Sequence, residues 1–583
     1  MAVAATERSL RTRRAAVALR AERLPELGVV ALAAALRLTL LGRTQLNPFY
    51  DAAVRSMGTS WHAFLVGAFD PSARLAIDKP PVDLWLQVAS TKVLGFTPAA
   101  LLLPAALGGT LAVWALYDLL RTLVGTGVAV AGALALAVLP VAVITSRSDT
   151  MDSVMAAALV GAFAVAARGL RDGRTSRIVL AGALVGLAFE IKLFEALVAV
   201  PPLALMWWLG ARASRARRAA GLAAAAGACA AVGLAWLVAV TTLVPAHERP
   251  WAFGSTNGSP WSSTFVYDGW DRVAGAKTPP VPPATERLPT ATRADRARLA
   301  AARRRAVAQH RAALRRAPAA PGPLRLLSAQ AHLRWRLGAE LVAAWLAVAL
   351  ALATGAWRRA DRGGRAGLAA VAAWLALGTL LFSAQGGMRP RYLEAFDPAL
   401  AACLGAGLVL GSRSLARRRA GLAAGALIAV ALAAPAATSV AAVAHHTQDS
   451  GAPGALPHRR LDALSAYLRA RQGGARYEVA SVTVAKAGPL IAHDGRPVLL
   501  LTSAWGHPLV STAQLARLVA EGSVRTALVG NRCTRTSPDR WAACSAVAAW
   551  IRRHGADVSR QAGQPHPGLV YALSAPASRP RRR

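Results

Sequence analysis

Long apolar runs set the rhythm of this chain. They fall at about Leu27 to Gly42 and near 98–120, 126–145, 153–169, 176–191, 193–210, 219–243, 338–356, 366–384, 397–411 and 419–443. Most approach the roughly 17–25 residues that let a helix cross a bilayer. The runs are continuous rather than alternating. That predicts helices instead of barrel strands, because backbone polar groups in lipid can satisfy only one another. Their richness in Ala and Gly suits close helix packing in lipid. The first run carries Arg37 and lacks a clear small-residue cleavage site, so it reads as an anchor rather than a removable signal.

The loops between runs alternate in charge. "RGLRDGRTSR", "RASRARRAA", "WRRADRGGR" and "RSLARRR" belong on the cytoplasmic side by the positive-inside rule. This arrangement predicts about eleven spans, with the N-terminus inside and the C-terminus outside. The expected organisation is a basic cytoplasmic N-terminus (1–26), a transmembrane part (27–445) and an extracytoplasmic tail (446–583). Two long segments of the transmembrane part, 43–97 and 244–337, face outward as loops. In the tail, "LDALSAYLRAR" reads as helix, "YEVASVT" as strand, "RPVLLLTS" as strand and "STAQLARLVAEG" as helix. "RTALVG", "SPDRWAACSAVAAWIRRHG" and "GLVYALS" continue as strand, helix and strand, this helix opened by Ser537 and Pro538. Alternation of this kind predicts a small α/β unit. It carries no phosphate-cradling Gly loop and no nucleophile elbow, so a passive or recognition role is expected of it.

Composition sharpens this picture. The 583 residues are 55% hydrophobic with a formal net charge of +39. In a soluble protein that charge would suggest nucleic acid. Here much of the Arg lies in short loops, where membrane topology accounts for it and no nucleic acid is needed. The basic stretch from Glu286 to Arg316 falls in an outward loop. A solvated helix or insertion is its plainer reading, and contact with anionic envelope polymers or lipid headgroups the sharper one. Of four cysteines, Cys229 and Cys403 fall in apolar runs. Cys533 and Cys544 fall in the tail, where an oxidising compartment would permit a bond between them.

Ionisable groups are costly near lipid, so those at span ends are candidate site residues. Five clusters qualify. They are "NPFYDAAVRSM" with Asp51 and Arg55, "IDKPP" with Asp78 and Lys79, "SRSDTMDS" with Arg147, Asp149 and Asp152, "FEIKLFE" with Glu190, Lys192 and Glu195, and "MRPRYLEAFD" with Arg389, Arg391, Tyr392 and Glu394. Carboxylates can take a proton from an attacking hydroxyl or hold a metal. Lys and Arg can bind a phosphate and stabilise charge on a leaving group. Together these groups suit displacement of a phosphate from a sugar carbon, and their place at the membrane border suggests that the phosphate belongs to a lipid. Pro80 and Pro81 would fix the direction of Asp78 and Lys79. Singly, each acid is more often a solvated loop residue or half of an interfacial ion pair.

"NPFYDAAVRSM", "SWHAFLVGAFDP" and "IDKPPVDLWLQ", followed by "RSDTMDSVM" and "LAFEIKLF", resemble the GT-C polytopic glycosyltransferases of family 39. This group includes protein O-mannosyltransferases and the lipid A aminoarabinose transferase, and the DKPP motif is similar to its bacterial branch. "RPWAFGSTNGS", "GPLRLLSAQ" and "PRYLEAFDPALAA" look like further landmarks. The resemblance implies a GT-C fold and a sugar, hexosyl or pentosyl, carried on polyprenyl phosphate. It implies transfer on the outer face with inversion at the anomeric carbon. The acceptor would be a hydroxyl of a protein, a glycolipid or a wall polymer. The resemblance makes Lys79, Lys192, Arg391 and Tyr392 holders of the donor phosphate, and Asp152 an orienting acid. Asp51 is the family's position for the base, but the chain lacks the Asp-Glu pair of the protein mannosyltransferases there, which raises Asp78 beside it. Arg55, Arg147, Asp149 and Glu190 are further candidates. Some relatives use a divalent metal and others do not. Two readings from other classes compete: a transporter or lipid flippase, for which the chain shows no internal repeat, and a non-catalytic envelope-assembly scaffold working through its tail.

Overall fold

The computed structural model describes residues 23–274, 320–328, 337, 339–386, 388–414, 432–450, 458–503, 506–530, 533 and 540–574. The basic stretch 286–316, the first 22 residues, residues 419–431 of the last apolar run and the helix start at Ser537 and Pro538 lie outside the described residues.

Four described helices are long and apolar enough to cross a bilayer: Arg23–Arg43, Pro98–Leu123, Asp152–Asp172 and Arg362–Ala384. A fifth span is formed if Arg215–Gly233 and Ala235–Leu243, bent by 45°, count as one. Shorter apolar helices lie at Thr126–Val138, Ala339–Ala353, Asp397–Leu410 and Leu432–Ala444. Besides the bent run 219–243, two expected runs are broken. The run 126–145 splits into Thr126–Val138 and Pro140–Thr145, with Leu139 extended between them. Pro140 has no amide hydrogen to continue the first helix, yet its fixed φ suits the start of the second. The run 193–210 opens as a tight 3-10 segment, Leu193–Ala199, before the α-helix Val200–Gly210.

Glycines set how closely the helices approach. Gly182 and Gly186 stand one turn apart on the helix Ser176–Lys192. A Cβ on Gly182 would lie 2.1 Å from the Ala225 carbonyl oxygen, and one on Gly186 would lie 2.5 Å from that of Cys229. The helix Arg215–Gly233 therefore touches backbone to backbone, as small-residue pairs four apart allow.

Residues 43–97 form a compact polar layer rather than a loose loop. The helices Pro48–Met57 and Val82–Leu94 flank a short strand β1 (Leu75–Ala76), which pairs in parallel with β2 (Trp251–Ala252). The segment after the last membrane helix then builds a five-stranded sheet from β3 (Val479–Ser481), β4 (Val498–Leu500), β5 (Thr526–Leu528), β6 (Gly555–Asp557) and β7 (Val570–Leu573), in the order β4-β3-β5-β7-β6. β3 runs parallel to β4 and β5, whereas β7 is antiparallel to β5 and β6. Strand β6 begins at Gly555, where the sequence pattern suggested only the end of a helix. Cys533 and Cys544 are joined by a disulfide. The helix Val484–Asp494 lies against Pro48–Met57, so closely that a Cβ on Gly488 would come within 3.0 Å of the Pro48 carbonyl oxygen.

Gly186→Ile should force the two helices apart. Overpacking of this kind costs about 1–3 kcal/mol. The expected result is a lower thermal midpoint in detergent, with a smaller loss for a substitution at Gly227, whose Cβ direction is open.

Candidate active site

Asp78 and Lys79 occupy the bend between β1 and the helix Val82–Leu94. The bend is tied on both sides: Ile77 N donates to the Gly67 carbonyl at 2.9 Å, and Ser263 Oγ donates to the Asp78 carbonyl at 2.8 Å. Pro80 and Pro81 remove two backbone donors from the turn and stiffen it. Lys79 Nζ donates to Asp78 Oδ1 at 2.8 Å and to Tyr50 Oη at 3.2 Å. Both side chains are buried. Burial alone would raise the Asp78 carboxyl, but the adjacent Lys79 charge and hydrogen bond outweigh it and hold the group below its ordinary range. Burial likewise opposes the Lys79 ammonium, yet Asp78, Tyr50 and Asp268 hold its proton more firmly than usual.

A second ion pair comes from two helix ends. Asp152 is the first residue of Asp152–Asp172 and Lys192 the last of Ser176–Lys192. Each charge suits the dipole of its own helix terminus. Lys192 Nζ lies 3.0 Å from Asp152 Oδ2, and Arg391 Nε lies 3.8 Å from the same oxygen. Tyr392 spreads beneath both cations, its ring centre 5.2 Å from Lys192 Nζ and 5.7 Å from Arg391 Cζ. Tyr50 joins the two halves, since Lys79, Asp78, Lys192 and Arg391 all act on its hydroxyl electrostatically. Asp268 and Arg272 close the arrangement from the far side. They sit at and just after the end of a π-helical turn, Ser262–Trp270, a feature common at functional sites. Arg272 donates to Asp268 Oδ1 through Nε at 3.1 Å and a terminal nitrogen at 2.9 Å. Asp268 Oδ2 is buried without a protein hydrogen bond. Burial first, and Asp78 second, push its carboxyl up to about 6.

Beside this cluster lies a carboxyl pair. Asp51 and Asp149 act on each other electrostatically, and both side-chain oxygens of Asp149 are buried without a hydrogen-bond partner among the described residues. Two buried acids in contact cannot both ionise cheaply. Burial and the Asp149 charge push Asp51 well above the carboxylate range, while burial moves Asp149 only to about 6. Asp83 lies next to them, bonded by Gln87 Nε2 at 3.0 Å and electrostatically linked to Asp149, Asp152 and Lys192. The segment after the last membrane helix straps this region down. Asp149 N donates to Ser450 Oγ at 2.8 Å, Asp449 N to Ser148 Oγ at 2.7 Å, Asn47 Nδ2 to the Ser450 carbonyl at 2.8 Å, and Arg391 to the Asp449 carbonyl at 2.9 Å.

Of the residues singled out in the sequence, Asp78, Lys79, Asp152, Lys192, Arg391 and Tyr392 come together, with Asp51 and Asp149 alongside. Three others are engaged elsewhere. Arg55 bonds the Ala492 carbonyl at 3.1 Å and covers the Phe96 ring at 4.1 Å, tying the polar layer to the tail. Arg147 spends one terminal nitrogen on the carbonyls of Leu36, Arg37 and Thr39, which closes the end of the first helix. Glu190 accepts from Trp236 N at 3.0 Å and so caps the helix Ala235–Leu243 after the bend. Sequence reasoning missed Tyr50, Gln87, Asp268 and Arg272, and did not place Asp83 in the site, although it is buried. The i,i+4 acid–base spacing of Asp268 and Arg272 was the one available signal for that pair. Among the described residues no three His, Cys, Asp or Glu side chains converge so as to hold a metal ion. Among the described residues this donor set does not fit a resident metal, and the cations supply the positive charge.

Comparison with known proteins bears on the family and the fold. Residues 78–238 match the family model "Dolichyl-phosphate-mannose-protein mannosyltransferase", and residues 464–554 match a C-terminal model of YkcB-like mannosyltransferases. The mannosyltransferase-like proteins YycA and YkcB of Bacillus subtilis (strain 168) are 32% and 30% identical over 232 and 230 residues, which is 40% of this chain in each case. Those matches span only 34% and 32% of the relatives' own length, about a third. The fold is similar to ArnT from Cupriavidus metallidurans bound to undecaprenyl phosphate, with a TM-score of 0.55 and 15% identity over 95% of this chain and 98% of that one. It is also similar to the archaeal oligosaccharyltransferase AglB from Archaeoglobus fulgidus, in complex with an inhibitory peptide and a dolichol-phosphate, with a TM-score of 0.51 and 13% identity over 96% and 75% of the two chains. The fold is thus that of the GT-C membrane glycosyltransferases, and the sequence matches support family 39.

The Lys192–Asp152 pair should behave as a coupled unit. Lys192→Met alone leaves a buried carboxylate short of its main partner, at a cost of up to about 3–5 kcal/mol. Adding Asp152→Asn should recover much of that loss in thermal unfolding of the purified protein. Purely additive losses would contradict the coupling.

Proposed function

We propose that this protein is a membrane glycosyltransferase that moves a hexosyl unit from a polyprenyl-phosphate donor to an acceptor hydroxyl, on the outer face of the membrane and with inversion at the anomeric carbon. The observation that carries this reading is the grouping of Lys79, Lys192 and Arg391 around Tyr50 and Tyr392, with carboxylates interleaved. Cations held by buried acids keep their geometry and can accept a phosphate without reorganising. The names of the sequence relatives support a hexosyl rather than a pentosyl unit. Ion pairs at helix ends, rather than in mid-span, favour this reading over a transporter.

In this reading the donor phosphate lies against Lys79, Lys192 and Arg391, with Asp78 and Asp152 holding the two lysines in place. The Asp51–Asp149 pair, carrying one proton near neutral pH, is the base. Asp78 is a poorer base because Lys79 keeps its carboxylate ionised and weakly basic. The acceptor oxygen attacks C1 as its proton passes to the pair. The C1–O bond breaks, the electron pair stays on the phosphate oxygen, and polyprenyl phosphate leaves.

Lys79→Ala should lower transfer from a labelled polyprenyl-phospho-sugar by about 10²–10³, the usual effect of losing one charge-stabilising donor. Full transfer by a folded Lys79→Ala protein would sink the proposal. The pair also predicts a pH profile. Because Asp149 ionises near pH 6, kcat/KM should rise as pH increases through about 6 and fall off below it. Asp149→Asn should remove that limb. Asp83, which burial pushes to about 7, should leave it in place when replaced by Asn.

A further inference from the structure

A polar cleft of about 620 Å³ opens where the outer layer meets the C-terminal sheet. Its walls come from three distant parts of the chain: His62 and 72–74, then 247–251, then Arg476, Tyr477 and 508–509. Three arginines line it, Arg74, Arg249 and Arg476, against a single acid, Glu248, which faces His247 at 3.6 Å.

The walls are built, not loose. The buried Asp70 carboxylate accepts from the backbone of Ser72 at 3.1 Å, Arg74 at 3.1 Å and Leu75 at 2.9 Å, and so fixes the turn that carries Arg74. Within that turn Ala73 takes a left-handed φ of 49°, which the Asp70 bonds hold in place. Trp251 closes the seam. Its ring stacks on His507 of the C-terminal segment with centres 3.8 Å apart. On the other face Gly258, at φ +79°, leaves room for the ring, since a Cβ there would come within 2.8 Å of it. Arg249 uses Nε on the Val244 carbonyl at 2.8 Å, which orients its guanidinium.

The cleft is also wired to the candidate active site. Arg74 directly precedes β1, and Trp251, the first residue of β2, donates its N–H to the Arg74 carbonyl at 2.9 Å. Four residues after Arg74, past the end of β1, the chain reaches Asp78, a distance of at most about 14 Å along an extended chain. A ligand long enough to bridge that distance could lie in the cleft and present a hydroxyl at the cluster. Arginine guanidinium groups recognise phosphate or carboxylate groups.

We propose that this cleft is the acceptor subsite, and that it takes a saccharide chain bearing phosphate or carboxylate groups. The inference rests on the transferase reading. Its test uses the full chain in nanodiscs and two labelled probes, tetragalacturonate and pentamannose phosphate, with maltotetraose as the neutral match. The variant Arg74→Gln/Arg249→Gln/Arg476→Gln should weaken binding of at least one anionic probe by at least about tenfold, as expected for lost charged hydrogen bonds. A charge-matched control, Arg517→Gln/Arg553→Gln/Arg560→Gln, alters exposed arginines that do not line the cleft. It should leave binding within about twofold. Lys79→Ala should retain probe binding while losing transfer. Equal weakening by the two triple variants would reduce the effect to net charge and overturn the proposal, as would equal affinity for maltotetraose or no binding of either anionic probe. If the probes bind as proposed but Lys79→Ala keeps full transfer, the transferase reading fails and not the cleft.

Discussion

Lys79 and Lys192 are ammonium groups with little surface left to water, set close together at the border of a membrane bundle. Neither charge could persist there alone, because desolvation would strip its proton or expel the side chain. Each is retained by one carboxylate, Asp78 or Asp152, and each leans on a tyrosine ring. The rest of the structure serves that balance. The stiff bend at Pro80 and Pro81 presents one pair. Two helix termini present the other. The π-turn supplies Asp268 and Arg272 to complete the ring of charge. What results is a fixed, nearly neutral polar island that becomes strongly attractive to an anion once its acids are held aside.

Much of this was legible in the chain. Acids and lysines are uncommon at run ends that are otherwise flanked by arginine, so "IDKPP", "SRSDTMDS" and "FEIKLFE" stood out, and their ions do meet. The same rule could not separate Lys192 from Glu190 or Arg147, which lie in the same motifs. A charged side chain at a helix end can hold a ligand, or it can cap loose backbone, and the composition is identical. Arg147 closes the end of the first helix and Glu190 caps a bent one. Tyr50 stayed invisible because its role comes from two partners, Lys79 and Lys192, far away in sequence. The break at Leu139 and the 3-10 opening Leu193–Ala199 of the run 193–210 were also hidden, since apolar runs report burial and not continuity.

The tail illustrates a different limit. Its alternation of helix and strand announced an α/β unit, and a parallel core of β4, β3 and β5 formed. Nothing in that alternation said where the unit would lean. The contact is set by details: Gly488 against Pro48, Arg55 on the Ala492 carbonyl, and Trp251 on His507. These link the sheet to the same layer that holds Asp51 and Lys79. The unit is therefore a wall of the polar region as much as an appendage.

The strap at 448–450 carries an implication for biogenesis. Asn47, Ser148, Asp149 and Arg391 all find partners in a segment made after every helix of the bundle. A ribosome-bound chain would have its lysines and acids in place while these four groups still lacked their final ties. In the proposed reading the cluster is complete only once residues 448–450 have been made, so a nascent polypeptide stays idle until its translation has passed that point.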